Sequence, residues 1–296
     1  MSHAALLSTA RQWLASGTPC VDVSVLAHRG SVPRETGTHM LVRADEVAGT
    51  VGGGHLELKA IQAAQELLSA GPERLTALAH APLDLHFPLG PALGQCCGGS
   101  VTLRLQPLSA DAFSAWAAPA PRFHLQLYGA GHVGRAIVAL LAGIDCRVQW
   151  IDEREAEFPP LRPGQSEPAH IERVCVEPVE AEVAVAPPGA HYLVLTHSHD
   201  LDLRITEAIL KRGDFAFCGL IGSRTKRARF MHRFEQRGLP AATLARLTCP
   251  IGVAGISGKE PEVIAISVVA QLLARSGPAV STMPGDTRAA TPFTAV

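Results

Sequence analysis

The chain's 296 residues, 47% of them apolar and 18% charged, are enough for one large or two ordinary domains with well-filled cores. A formal net charge of −1 gives no overall electrostatic reason to expect nucleic acid as a partner. Seven cysteines without framework spacing argue for a reducing cytosol; Met1-Ser2-His3-Ala4-Ala5-Leu6-Leu7 is no signal peptide, and no uncharged apolar run reaches about 18 residues, so a soluble cytoplasmic protein without membrane partners is expected.

Residues 4–16 place Leu6, Leu7, Ala10, Trp13 and Leu14 at helical spacing, with Gly17 as the stop. Val21 to Ala27 alternate with period two and read as a strand, followed by a polar loop, Arg29 to Gly37, that carries two arginines. Strands resume at Met40–Val42 and Val47–Val51. Gly52-Gly53-Gly54-His55-Leu56-Glu57 then opens a helix running to about Ala70 on the stripe Leu58, Ile61, Ala64, Gln65 and Leu68. Three glycines leading into a helix offer unpaired backbone N–H groups to a phosphate or other oxyanion, so Gly53, Gly54 and His55 are candidate binding residues, with Arg34 as added charge. The simpler alternative is a tight strand-to-helix turn.

Leu93-Gly94-Gln95-Cys96-Cys97-Gly98-Gly99 sets two adjacent cysteines between glycines, just before a strand at 101–105. Such backbone can present thiols at a surface, although cysteines beside a turn also serve simply as packing. The Ala/Ser/Pro-rich stretch 109–121 reads as a linker, so residues 1–108 are expected to form an α+β domain and 122–275 a second domain, with 276–296 a disordered tail.

The second domain opens with the buried-strand run Phe123 to Tyr128 and Gly129-Ala130-Gly131-His132-Val133-Gly134-Arg135, then an amphipathic helix and a strand that ends on Asp152, 18 residues beyond Gly134. A G-x-G-x-x-G turn in that context predicts a dinucleotide-binding βαβ unit, with Asp152 in the ribose position. Further strands near 174–176, 192–196 and 215–221, alternating with helices at about 203–212, 223–237 and 260–275, extend it into a Rossmann-like open parallel sheet. The fold class expected is therefore α/β, an N-terminal α+β domain followed by that sheet.

Three more loops carry chemistry. His197-Ser198-His199-Asp200-Leu201-Asp202 lacks the spacing of a zinc signature; Asp200 or Asp202 is expected to cap the next helix, with the histidines lining the cleft at the strand ends. Ser223 and Arg224 stand at a helix N-terminus where a phosphate or carboxylate suits the dipole. Gly255-Ile256-Ser257-Gly258-Lys259-Glu260-Pro261-Glu262 leads into a helix, from Glu262 to Ala274, that is apolar nearly all round and hence expected to be buried.

Taken together and in order, Gly30-Ser31-Val32-Pro33-Arg34, the loop from Gly49 to Glu57, Leu89-Gly90-Pro91 with Gln95 to Gly99, the Gly129 loop, Thr196 to Asp200, Gly219 to Ser223 and Gly255 to Glu262 resemble the XdhC/CoxI family of xanthine dehydrogenase accessory proteins over residues 20–275. The resemblance implies a non-enzymatic chaperone for the molybdenum cofactor (molybdopterin). Such a protein binds the mature cofactor, works with a cysteine desulfurase while a terminal oxo ligand is exchanged for sulfur, and delivers it to apo xanthine dehydrogenase in purine catabolism. On that reading Cys96 or Cys97 contacts molybdenum or protects its sulfido ligand. Gly129, Gly131 and Gly134, with the Ser223-Arg224 loop opposite, hold the pterin phosphate. A homodimer is expected from the prevalence of two-fold oligomers. The rival reading is an NAD(P)-dependent oxidoreductase using Asp152, with His132 or His199 as proton donor, and a third is a metal hydrolase using His197, His199 and Asp200.

Overall fold

Val21, Val23 and Val25 alternate with polar neighbours in β1 (Val21–Arg29), and all three are buried. β1 is the middle of an antiparallel sheet with β2 (His39–Val42), β3 (Val47–Gly49), β4 (Leu83–Pro88) and β5 (Ser100–Pro107), in the order β3-β2-β1-β5-β4. The computed structural model describes residues 1, 3–89, 99–116, 120–161 and 167–276. Over these the chain divides into two units, one built on Met1–Pro121 with Ala142–Asp145 and Pro163–His170, the other on Arg122–Leu141, Cys146–Arg162 and the chain from Ile171.

In the first unit α1 (His3–Ser16) packs Leu6, Ala10 and Trp13 with Leu41 and Ala48. α2 (Gly54–Ser69) buries Leu56, Ala60, Ala64 and Leu67 in the core that holds Val21, Val23 and Val25. The expected stripe holds in part: Ala64 is buried and Ile61 and Leu68 pack against the core, but Leu58 is half exposed, and Leu56, Ala60 and Leu67 carry the rest of the buried face. α3 (Pro72–His80) and β4 were not anticipated; α3 is a short helix with Gly71 at its N-cap and Pro72 at its start, and β4 buries little of its surface. Residues read as the start of a linker instead form α4 (Ala110–Ser114), capped by the Ser109 side chain. Trp116 behind it is buried and donates through Nε1 to Asp22 at 3.2 Å. Asp22, fully buried, also accepts from His39 Nδ1 at 2.9 Å and Gln106 Nε2 at 3.2 Å, so the acid has the partners that burial demands. Residues 117–119, and the expected tail from 277, lie outside the described residues.

The second unit is a parallel sheet of β6 (His124–Tyr128), β7 (Arg147–Asp152), β8 (Ile171–Cys175), β9 (His191–Val194), β10 (Phe217–Leu220) and β11 (Leu247–Thr248), in the order β11-β10-β9-β6-β7-β8. Counted from β6, this is the 3-2-1-4-5-6 arrangement of dinucleotide-binding folds, whose strand order reverses between β6 and β9. Five of these six strands were expected, β8 beginning three residues before its expected place near 174–176, while two-residue β11 was not. The helices are α5 (His132–Leu141), α6 (His199–Arg212), α7 (Arg224–Gln236), α8 (Ala241–Leu244) and α9 (Pro261–Ser276). α9 is not buried all round: Ala265, Val268, Val269 and Leu272 face inward, but Ile266 is half exposed. Its Ser267 and Gln271 grip the preceding loop, accepting from Val253 N and Gly252 N, both at 2.9 Å.

Candidate functional site

In the first unit, the loop read as an open anion cradle has backbone to match. Gly52, Gly53 and Gly54 all have positive φ, 136°, 76° and 61°. Its donors, however, are engaged. Glu57, in the first turn of α2, folds back so that its Oε2 accepts from Val51 N at 3.2 Å and Gly53 N at 3.1 Å, and from the Thr50 hydroxyl. Gly52 N donates to Thr50 Oγ1 at 3.1 Å. The expectation of unpaired donors therefore does not hold for residues 51–53, because a carboxylate near a helix N-terminus is itself the anion that the dipole favours. The acid one turn into the helix was the overlooked signal. Gly54, His55 and Arg34 are exposed. A Cβ on Gly52 would come 2.4 Å from Pro33 Cγ, so the loop bearing Arg34 meets the glycine turn; no bond joins Arg34 to His55 among the described residues.

Cys96 and Cys97 lie outside the described residues. The residues that bracket their stretch are fixed, with Leu89 N donating to Gly99 O at 2.8 Å and Pro88 paired with Ser100. A Cβ on Gly99 would lie 2.4 Å from Arg29 O and 2.5 Å from Ser31 O. The exit of the Cys-Cys stretch thus abuts the start of the arginine loop.

In the second unit the three glycines of the G-x-G-x-x-G turn have separate duties. A Cβ on Gly129 would sit 2.3 Å from Leu195 O, and one on Gly134 would sit 2.1 Å from Gly129 O, so both are demanded by packing. Gly131 meets nothing within 4 Å and faces open space, as the glycine that lets a phosphate approach should. Trp150 Nε1 donates to Gly129 O at 3.0 Å, and Arg135 bridges Ala130 O (2.9 Å) to the Glu157 carboxylate (2.8 Å), so the turn is braced from two sides.

Asp152, at the end of β7, is buried. Its Oδ2 accepts from Ala130 N at 2.7 Å and from Arg154 Nη2 at 3.1 Å, and its Oδ1 from Arg154 N and Nε, both at 3.0 Å. The ribose-position carboxylate is therefore bound to the glycine turn and to a guanidinium. Burial pushes this carboxyl up, but the hydrogen bonds from Arg154 and Ala130 and the arginine's charge outweigh it and hold it below the ordinary range. A depressed carboxyl stabilises the fold above its unfolded pKa, about 3.9, and that contribution is lost as pH falls through the folded value. Denaturation between about pH 5 and pH 2 should accordingly be less steep with pH for Asp152→Asn than for the parent, and equal slopes would count against this role.

The crevice where the strand order reverses is lined by Tyr128, Gly129, Asp152, Glu153, Thr196 and His197, among others. It thus brings together Gly129 and Asp152 of the predicted set; Ser223 and Arg224 are not in its lining. Ser223 caps α7, accepting from Lys226 N at 3.2 Å, and Arg224 is exposed. His197 reaches the cleft, as expected, with Nε2 3.7 Å from Glu153 Oε1, whereas His199 is exposed on α6. The expected cap is corrected. Ser198 caps α6, accepting from Leu201 N at 3.4 Å, while Asp202 turns inward to accept from Thr196 N (3.0 Å), Thr196 Oγ1 (2.7 Å) and Lys226 Nζ. Lys226 also donates to Ile221 O at 2.8 Å, so one nearly buried ion pair joins the ends of β9 and β10 to α6 and α7. The run of basic residues in α7 concealed it. Among the described residues there is no group of three or more His, Cys, Asp or Glu able to hold a metal.

Residues 125–272 match the sequence model of the XdhC Rossmann domain, and residues 13–78 match that of the XdhC and CoxI family. The Escherichia coli (strain K12) protein described as "Uncharacterized protein YqeB" is 34% identical over 263 residues, which cover 86% of this chain and 43% of that protein. The chain thus spans less than half the length of that relative. A crystal structure described as a xanthine dehydrogenase from Bacillus halodurans has the same fold, with a TM-score of 0.69 at 20% identity over 95% of this chain and 98% of that one.

Proposed function

Because the chain belongs to the XdhC and CoxI family, we propose that it is an accessory protein of xanthine dehydrogenase maturation, and that its cargo is the molybdenum cofactor, held during sulfuration and passed to the apo enzyme. The observation that carries the reading is the open face at Gly131, at the N-terminus of α5 and beside the strand-order reversal, where a phosphate finds backbone N–H groups and no obstructing side chain. The cargo's phosphate suits this position. The crevice beside it, lined by Glu153, Thr196 and His197, is too narrow for a pterin ring, which would lie outside it. Cys96 or Cys97 approaches the metal as thiolate, and the partners are the apo enzyme and a cysteine desulfurase, with the chain acting as a homodimer. The strand order also favours a second reading, an NAD(P)-dependent oxidoreductase, although Asp152 in the ribose position is already engaged by Arg154 and Ala130.

Purification from cells that make the cofactor separates these readings. A fluorescent pterin with molybdenum is expected; a nicotinamide nucleotide in its place would transfer support to the oxidoreductase, and stoichiometric zinc to a hydrolase. Single Cys96→Ala and Cys97→Ala variants test the thiol. At least one is expected to lose about tenfold or more in activation of the target enzyme, a transition-state or affinity effect of about 1.4 kcal/mol. If both retain cofactor and full activation, the thiols have no such role.

A further inference from the structure

On the face of the first unit's sheet that carries Asp84 and Arg104, these two form an exposed two-point pair at 2.9 Å on both arms. A cleft of about 370 Å³ opens there, lined by Ala27, His28, Arg29, His86, Ser100 and Thr102, with no acid among them. The strand register explains the clustering of all but His28: Ala27 stands opposite Thr102, Thr102 opposite His86, and Arg29 opposite Ser100, while His28 stands opposite the core residue Val101 and alternates to the other face. With neighbouring strands about 4.8 Å apart, these groups fall within a patch roughly 10 Å across. Ala27, the one lining residue with a mere methyl group, leaves the hollow.

The chemistry of the lining selects a ligand class. Arg29 is exposed and has no carboxylate partner among the described residues. His28 Nδ1 lies 3.1 Å from Thr36 Oγ1 and His86 Nδ1 lies 3.2 Å from Thr102 Oγ1, which fixes both rings and leaves each Nε2 without a described partner. The Arg29 guanidinium and the Ser100 hydroxyl, with one donor from the His86–Thr102 pair, form without a competing acid a donor set for a tetrahedral oxyanion, the guanidinium supplying two-point recognition. The volume lies in the usual range of small-molecule sites, about 300–1,000 Å³. We infer that this cleft is an oxyanion site that binds the phosphate of a small phosphorylated molecule, or free phosphate, on the face of β1, β5 and β4. It is separate from the glycine turn of the second unit and does not depend on the maturation reading.

The test titrates the full chain, alone, with inorganic phosphate and with ribose 5-phosphate as a simple phosphomonoester, following imidazole NMR signals assigned through His28→Gln and His86→Gln. Both ligands are expected to move the His86 signal more than that of His28, whose ring alternates to the other face. Arg29→Gln should weaken binding about tenfold or more and Ser100→Ala about threefold, with circular dichroism unchanged, whereas Arg104→Gln, on the same face but outside the cleft, should stay within about twofold. Phosphomonoester binding tighter by about tenfold would identify a phosphorylated organic ligand, and equal binding a free oxyanion. The inference is overturned if neither ligand shifts the His86 signal up to about 10 mM, or if Arg29→Gln and Ser100→Ala both bind as the parent does. Because no target enzyme takes part, failure here leaves cofactor delivery untouched, and failure of delivery leaves this result standing.

Discussion

Lys226→Ala is expected to lower the stability of the second unit by about 3–5 kcal/mol, because it strands a carboxylate that is 1% exposed. Asp202 would lose its only counter-ion among the described residues while keeping the Thr196 N–H and hydroxyl, two neutral donors that do not offset a buried charge. Lys226→Ala with Asp202→Leu removes the charge as well and should recover part of the loss. It should not recover all of it, since Thr196 N–H is then left without its acceptor at a cost of about 1–3 kcal/mol. The exposed Arg104–Asp84 pair supplies the contrast: despite its two-point geometry, Arg104→Gln should cost under about 1 kcal/mol. Urea unfolding of the full chain, followed by circular dichroism, measures all three. A loss for Lys226→Ala no larger than that for Arg104→Gln would mean that water reaches Asp202 freely.

The glycine turn should separate folding from binding. In Gly134→Ala the new methyl would meet Gly129 O at 2.1 Å, a backbone atom that β6 holds in place, so a loss of about 1–3 kcal/mol is expected and a fall in Tm of roughly 2–4 °C per kcal/mol. Gly131→Ala, with nothing within 4 Å of its Cβ, should leave stability within about 0.5 kcal/mol. The same methyl would occupy the approach of a phosphate, so retention of the proposed cargo should drop about tenfold or more. Thermal unfolding and cofactor content of the purified variants give the two readouts. If Gly131→Ala retains its cargo fully, the phosphate does not lie on this turn.

The two halves of the chain differed in how much could be read from the sequence. Strands β9 and β10 are buried at every position, β6 and β7 hold apolar residues around Gln126 and Gln149, and the turn between β6 and α5 has a spacing that few other structures require. In the first unit the signals were weaker. The helix after the glycine turn was evident but its inward face only in part: Ala64, Ile61 and Leu68 were placed on it, whereas Leu56, Ala60 and Leu67 were not. Trp116 looked like part of a linker because its composition there is Ala/Ser/Pro-rich, and only the partner at Asp22, far away in sequence, makes it core. Of the candidate residues, Gly131 and Asp152 follow from spacing alone. The engagement of Asp152 by Arg154, of Asp202 by Lys226 and of the glycine cradle by Glu57 does not, since each depends on which side chain folds back over a short span.

That last engagement would make ligand entry at the first unit's glycine turn an exchange. The Glu57 carboxylate already occupies the donors of Val51 and Gly53, so an oxyanion arriving there would compete with a tethered anion instead of filling bare N–H groups. Its apparent dissociation constant would be the intrinsic one divided by the fraction of time for which the carboxylate is away; at about 1% away, affinity would be about a hundredfold weaker.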